Sequence, residues 1–193
     1  MKSIDDQKLK VILIAAKELF WKYGFKRVTI EEVCREAKVS KMTFYKHFKN
    51  KIELVKKIYE LEVNKAMKKY RSIMDSEIPF IEKVKKSMEL KREQTENLSQ
   101  EFYDDLLKGD IDELKEMFNN ATQNSLRIIL NDYIQAQKKG EIRKDIKPEF
   151  ILYFMNHMME MAKDQKLSGL YSNPNELIME LNNFFFYGVL PRK

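Results

Sequence analysis

Two helix starts lie eleven residues apart, and that spacing constrains the fold of this chain more than any other feature. Thr29-Ile30-Glu31-Glu32 reads as a capping box, in which Thr29 caps a helix and the Glu32 carboxylate reaches back to it. Ser40 is a second good N-cap, preceded by the interruption Lys38-Val39. Only one short helix and a tight turn fit between them. Upstream, Ile12, Ala15, Ala16, Leu19 and Phe20 recur on one helical face, and Gly24 follows at the position where a glycine ends a helix. Two short helices around a tight turn, packed on a longer first helix, make a helix-turn-helix.

The third helix is expected from Lys41 to about His47. At 100° per residue Phe44 and Phe48 share its inner side, and Met42 and Lys46 lie opposite. Lys41 and Tyr45 take one flank, and Thr43 and His47 the other. The four phenylalanines Phe20, Phe25, Phe44 and Phe48 read as core, and Cys34 as a small buried thiol.

The rest of the chain is helical by the same local grammar. Asn50-Lys51-Ile52-Glu53 opens a long helix expected to reach Met74, and Pro79 suits the first position of the next. Gly109-Asp110 separates two more helices, and Gly140 closes the one that begins near Ile111. Pro148 starts a helix expected to reach Lys166. Asn173-Pro174-Asn175-Glu176 starts the last, expected to stop at Gly188. Only 5 Gly and 4 Pro in 193 residues agree with long helices and speak against a β-sandwich or a Gly-rich nucleotide fold. The expected class is all-α, with about nine helices: a helix-turn-helix domain over 1–49 and a larger helical domain over 50–193.

Charge divides the chain at the same place. Residues 1–60 hold 15 Lys or Arg against 8 Asp or Glu, whereas residues 61–193 hold 21 against 22. A basic small head on a neutral body suits polyanion binding, although a merely solvated basic face gives the same count. A single cysteine fits a reducing compartment, and no leader or spanning segment is read, so a soluble cytoplasmic protein is expected, without membrane association. No phosphate-cradling Gly loop and no paired Cys or His at metal spacing occurs, so no enzyme activity, metal or cofactor is expected.

From Ile12 to Lys51 the sequence resembles the DNA-binding head of the tetracycline-repressor (TetR) family. The residues that carry the likeness are Ile12-Leu13-x-Ala15-Ala16-x-x-Leu19-Phe20, Gly24-Phe25, Thr29-Ile30, Val33, Ala37-x-Val39-Ser40 and Thr43-Phe44-Tyr45-x-His47-Phe48-x-Asn50-Lys51. Lys38 stands where the family usually has Gly, Met42 where a small residue is common, and Cys34 where Ala is usual. The resemblance implies phosphate contacts from Thr29, Tyr45, His47 and Lys51. Base contacts would come from Lys41, Met42, Thr43 and Lys46, on the helix that Ser40 caps, since Lys can bond guanine while Thr and Met can meet a thymine methyl.

The resemblance also implies a body that dimerises and binds a ligand. Its last two long helices, crowded with Met and aromatics, would form a dimeric bundle through Phe150, Phe154, Met158, Met161, Phe184 and Phe185. Phe102, Tyr103, Phe118, Tyr133 and His157 are the ligand-contact candidates, and the ligand is expected to be a mostly apolar small molecule. The function so implied is a homodimeric repressor on a roughly palindromic double-stranded operator, released by that ligand. Two other readings stay open: a member of the same family controlled by a protein partner, and, more remotely, a helical enzyme using scattered carboxylates.

Overall fold

In a computed structural model, residues 4–190 are described, and all the regular structure among them is helical. The order is α1 (Ile4–Tyr23), α2 (Ile30–Glu36), α3 (Lys41–His47), α4 (Lys51–Met74), α5 (Phe80–Thr95), α6 (Gln100–Leu107), α7 (Asp112–Lys139), α8 (Pro148–Met161), α9 (Gln165–Ser168) and α10 (Pro174–Val189). Ten helices among the described residues agree with the expected class.

The chain packs as two compact units. One gathers the residues up to 64 with 97–117, and the other gathers 65–96 with the residues from 118 onward. α4 and α7 each give their first turns to one unit and the remainder to the other. Packing therefore groups α6 with α1–α3, a long-range association that a linear division at residue 50 does not express.

In the first unit the apolar faces of α1, α2 and α3 converge. Ile12, Ala16, Phe20, Val33 and Phe44 are each 1% exposed or less. Burying one such Phe side chain contributes roughly 1.5–3 kcal/mol, which is what holds two seven-residue helices that are too short to persist alone. Leu54, Val55 and Ile58 close this core from α4, and Lys17 pairs with Glu62 at 2.8 Å. α6 adds Phe102 and Tyr103, both buried. The Phe102 ring lies 4.7 Å from Trp21 and 6.1 Å from Phe25.

In the second unit Tyr70, Phe80, Val84, Tyr133, Ile142, Ile151, Met155, Met158, Phe185 and Phe186 form one buried cluster. Tyr133 meets Phe80 edge-on and Phe185 at a tilt. A polar tie joins α4 to α7 beside it: Tyr70 donates to Asp132 Oδ2 at 2.9 Å, and Arg71 pairs with the same carboxylate. Burial, reinforced by the Asp132 charge, pushes the Tyr70 phenol well above its ordinary range. α7 ends in a Schellman motif: Gly140 takes φ +77°, the Gly140 N–H donates to Gln137 O, and the Glu141 N–H to Ala136 O. The following loop is pinned by Gln137 Nε2, which donates to the carbonyls of Arg143 and Ile146.

Three expected boundaries move. Pro79 is the N-cap of α5 and not its first residue. α8 stops at Met161, because the Asp164 side chain accepts from the Leu167 N–H and starts the separate turn α9. α10 runs through Gly188 to Val189.

Candidate nucleic-acid interface

The frame of the site is set by caps. Thr29 Oγ1 accepts the Glu32 N–H at 3.2 Å, and Glu32 Oε2 accepts the Thr29 N–H at 2.8 Å, a complete capping box. Ser40 Oγ accepts the Thr43 N–H at 3.1 Å and starts α3. Between the helices Lys38 takes φ 54°, left-handed backbone that glycine would adopt without strain.

α3 buries one side and offers the other. Phe44 is fully buried and meets Phe48 at a tilt, their centroids 5.7 Å apart. Met42 is 70% exposed and Tyr45 54% exposed, unusual for residues so apolar and consistent with a face that awaits a partner. Tyr45 is braced by Phe44, which meets its ring nearly edge-on at 5.4 Å. Lys41 and Lys46 are exposed on the same outer side, and Thr43 is half-buried with its hydroxyl 3.0 Å from that of Ser40.

Lys41, Lys51 and His47 do more than face solvent. Lys41 pairs with Glu31 of α2, and the hydrogen bond from Lys41 holds the Glu31 carboxyl below its ordinary range while that same bond raises the Lys41 amine. Lys51 Nζ donates to the carbonyls of Lys26 and Val28 at 2.8 and 2.9 Å, and burial lowers its pKa. Its ammonium thus clasps the α1–α2 turn with two donors and has one left. The His47 side chain is only 10% exposed, and Nε2 lies 3.5 Å from Asp5 Oδ1 of α1. His47 faces the first helix and not the open side of α3.

Asp105 of α6 escaped the sequence reading. Its Oδ2 accepts the Lys26 N–H at 2.8 Å, while Lys26 Nζ pairs with Asp110 at 2.6 Å. Gly24, at φ +76°, is what lets α6 come this close: a Cβ there would stand 2.6 Å from Asp105 Oδ2. The signal was long-range, since 79 residues separate Lys26 from Asp105 and no local pattern links them. Gly24 itself was legible as a helix end.

A short α2, a left-handed turn and a capped α3 with an exposed basic and apolar face, all seated on α1, form a helix-turn-helix. Residues 12–58 match the family described as bacterial regulatory proteins, tetR family. The head of this chain is therefore similar to the DNA-binding domain of that family. The chain is 29% identical over 155 residues to the uncharacterized HTH-type transcriptional regulator YhgD of Bacillus subtilis (strain 168), covering 79% of this chain and 80% of that one. Its fold is similar to a TetR-family regulator from Cytophaga hutchinsonii, with a TM-score of 0.75 at 13% identity over the full length of both chains. It is also similar to the regulator FadR from Bacillus subtilis, solved in complex with stearoyl-CoA, with a TM-score of 0.71 at 14% identity over 94% of this chain and 99% of that one.

The ligand candidates are drawn from both units. Phe102 and Tyr103 belong to the first unit, Phe102 against α1, while Tyr133 sits in the second unit's core. Phe118 is buried, and His157 is exposed on α8 with its ring stacked on Tyr153 at 4.1 Å. The dimer candidates divide as well. Phe150, Met161 and Phe184 are exposed, Phe184 by 75%, and Tyr153 and Tyr187 join them. Met158 and Phe185 are buried in their own chain's core, and Phe154 is half-buried, stacked on Phe185 at 5.6 Å. Among the described residues no helix is long and apolar enough to cross a membrane.

Proposed function

We propose that this protein is a transcriptional regulator of the TetR type, a homodimeric repressor that binds a roughly palindromic operator and leaves it when a mostly apolar small molecule binds the body. The exposed face of α3 carries the reading: Met42, Tyr45 and Lys46 project from a helix whose other side is locked by Phe44. Residues 1–49 supply the DNA-binding head. Lys41, Met42, Thr43 and Lys46 read bases in the major groove. Tyr45, Thr29, the capped N-terminus at Ser40 and the third donor of Lys51 bind phosphates. His47 contributes through α1, by holding the start of that helix beside α3. Residues 50–193 dimerise and bind the ligand, and the protein works in the cytoplasm as a binding module, not an enzyme.

Exposed apolar residues on α8 and α10 favour the dimer. Phe150, Tyr153, Met161, Phe184 and Tyr187 would otherwise leave a large apolar area in water. Two-fold symmetry then sets two α3 helices about 34–36 Å apart, one turn of B-DNA. The test selects binding sites from random duplex, then measures release by stearoyl-CoA, the ligand bound by the FadR neighbour, and by shorter acyl compounds. Selection of inverted repeats with release by an acyl compound is expected. Specific binding that no small molecule relieves would favour control by a protein partner.

A further inference from the structure

The apolar stripe of α5 in the second unit is interrupted by a cation. Val84, Met88, Lys91 and Thr95 recur at helical spacing, with Val84 buried and Met88 packed against the core cluster, so Lys91 occupies the next position of a core-facing row. Opposite, on α10, Ile178, Asn182, Phe185 and Val189 make the matching row, with Asn182 in the polar position. Lys91 Nζ reaches Asn182 Oδ1 at 3.4 Å, the outer limit of a hydrogen bond. Among the described residues no carboxylate pairs with it. The neighbouring polar groups are already satisfied: Thr95 donates to Asn175 Oδ1 at 2.6 Å, and Asn182 Nδ2 to Ile178 O at 2.6 Å, which fixes Oδ1 toward Lys91. Lys83 of the same helix, by contrast, donates to the Met74 carbonyl at 2.6 Å.

Lys91 is half-buried, and an ammonium drawn partly out of water without a counter-charge is costly, a cost that an apolar side chain at the same place would remove. Burial alone draws the Lys91 amine down to about 8, with no carboxylate opposing it. Among the described residues Asn182 Oδ1 is the one acceptor within reach of its three N–H donors, and Lys91 lies at the edge of an apolar cluster.

We propose that Lys91, held by Asn182, is an anion-binding site that receives the carboxylate head of an otherwise apolar ligand. The assignment rests on the reading of this chain as a ligand-released regulator and adds the class of ligand: an amphipathic monocarboxylate. The carboxylate supplies the missing counter-charge, and the apolar remainder lies toward Met88 and Phe185.

Decanoate and 1-decanol, alike in chain and different in charge, are the probes, measured by calorimetry and by thermal shift on the full chain. Wild type should bind decanoate at least about ten-fold more tightly than decanol, the difference expected for a hydrogen bond to a charged group. Lys91→Met should erase that preference and keep decanol binding. Equal binding of the two probes by wild type overturns the site even if Lys91→Met fails to fold, and so does decanoate affinity unchanged in Lys91→Met. Decanol binding that releases DNA without any preference for decanoate would overturn the anion site and leave the ligand-released regulator standing. No binding of either probe overturns the carboxylate class, while release by stearoyl-CoA decides the parent reading separately.

Discussion

The ammonium of Lys51, the first residue of α4, donates to the backbone carbonyl of Val28 at 2.9 Å, and so ties the long helix to the turn that leads into α2. A residue expected only to meet phosphate also holds the head together. Lys51→Met should therefore do two things: destabilise the first unit by about 1–3 kcal/mol, the range for hydrogen bonds from a charged donor, and weaken all DNA sequences about equally. Urea denaturation and salt titrations on operator and scrambled duplexes measure both. A change in base preference would show that Lys51 lies in the groove instead.

On the proposed reading Glu31 competes with DNA for Lys41. Glu31→Gln releases the Lys41 ammonium and removes a negative charge beside α3, so operator affinity should rise several-fold at low salt and the gain should fade at high salt. Lys41→Ala should cost about 1–3 kcal/mol on the operator and less on scrambled duplex. Fluorescence anisotropy at two ionic strengths separates these outcomes, and an unchanged affinity in Glu31→Gln would mean that Lys41 stays on α2 in the complex.

Gly24→Ala should destabilise the first unit by about 2–3 kcal/mol, combining a left-handed backbone cost with displacement of Asp105 from the Lys26 N–H. Because both terms meet at Asp105, the double variant with Asp105→Ala should lose less than the sum of the two singles. Additive losses in chemical denaturation would disconnect Gly24 from α6.

Exposure separates two adjacent phenylalanines of α10. Phe184 is 75% exposed and Phe185 8%. Phe184→Glu combined with Phe150→Glu should give folded monomers in sedimentation and abolish specific DNA binding, whereas Phe185→Glu should unfold the second unit. A double variant that stays dimeric would move the interface elsewhere.

Stability should rise between about pH 8 and pH 9.5, by up to about 2 kcal/mol, relative to Lys91→Met. The folded chain holds this amine at about 8 while the unfolded chain holds it near 10.5, so within the window the unfolded state binds more protons and each step up in pH favours the fold. Burial lowers Lys51 in the same direction, which is why the comparison is made with Lys91→Met and not with wild type alone. Parallel curves for the two proteins in urea melts from pH 7.5 to 9.5 would contradict the buried amine.

What could be read from the sequence was whatever local chemistry decides. Thr29, Ser40 and Asn173 act within three residues of themselves, and each starts its helix where the reading placed it. The end of α8 was missed because no Gly or Pro marks it and the apolar pattern runs past Met161; the decisive group is the Asp164 side chain, an N-cap easily read as one more polar residue. The two faces of α3 followed from periodicity alone. The grip of Lys51 on the α1–α2 turn, the Lys41–Glu31 pair and the docking of α6 on Gly24 did not, because each joins residues brought together by packing.

The seven residues of α3 are too few to hold a helix in isolation, so its shape is set by Ser40 at one end and by Phe44 beneath it. Met42 and Lys46 contribute little to that shape. On the proposed reading, substitution at these two positions can retarget the protein to a new DNA sequence without endangering its folding, so descendants of such a chain can acquire new binding sites one surface residue at a time.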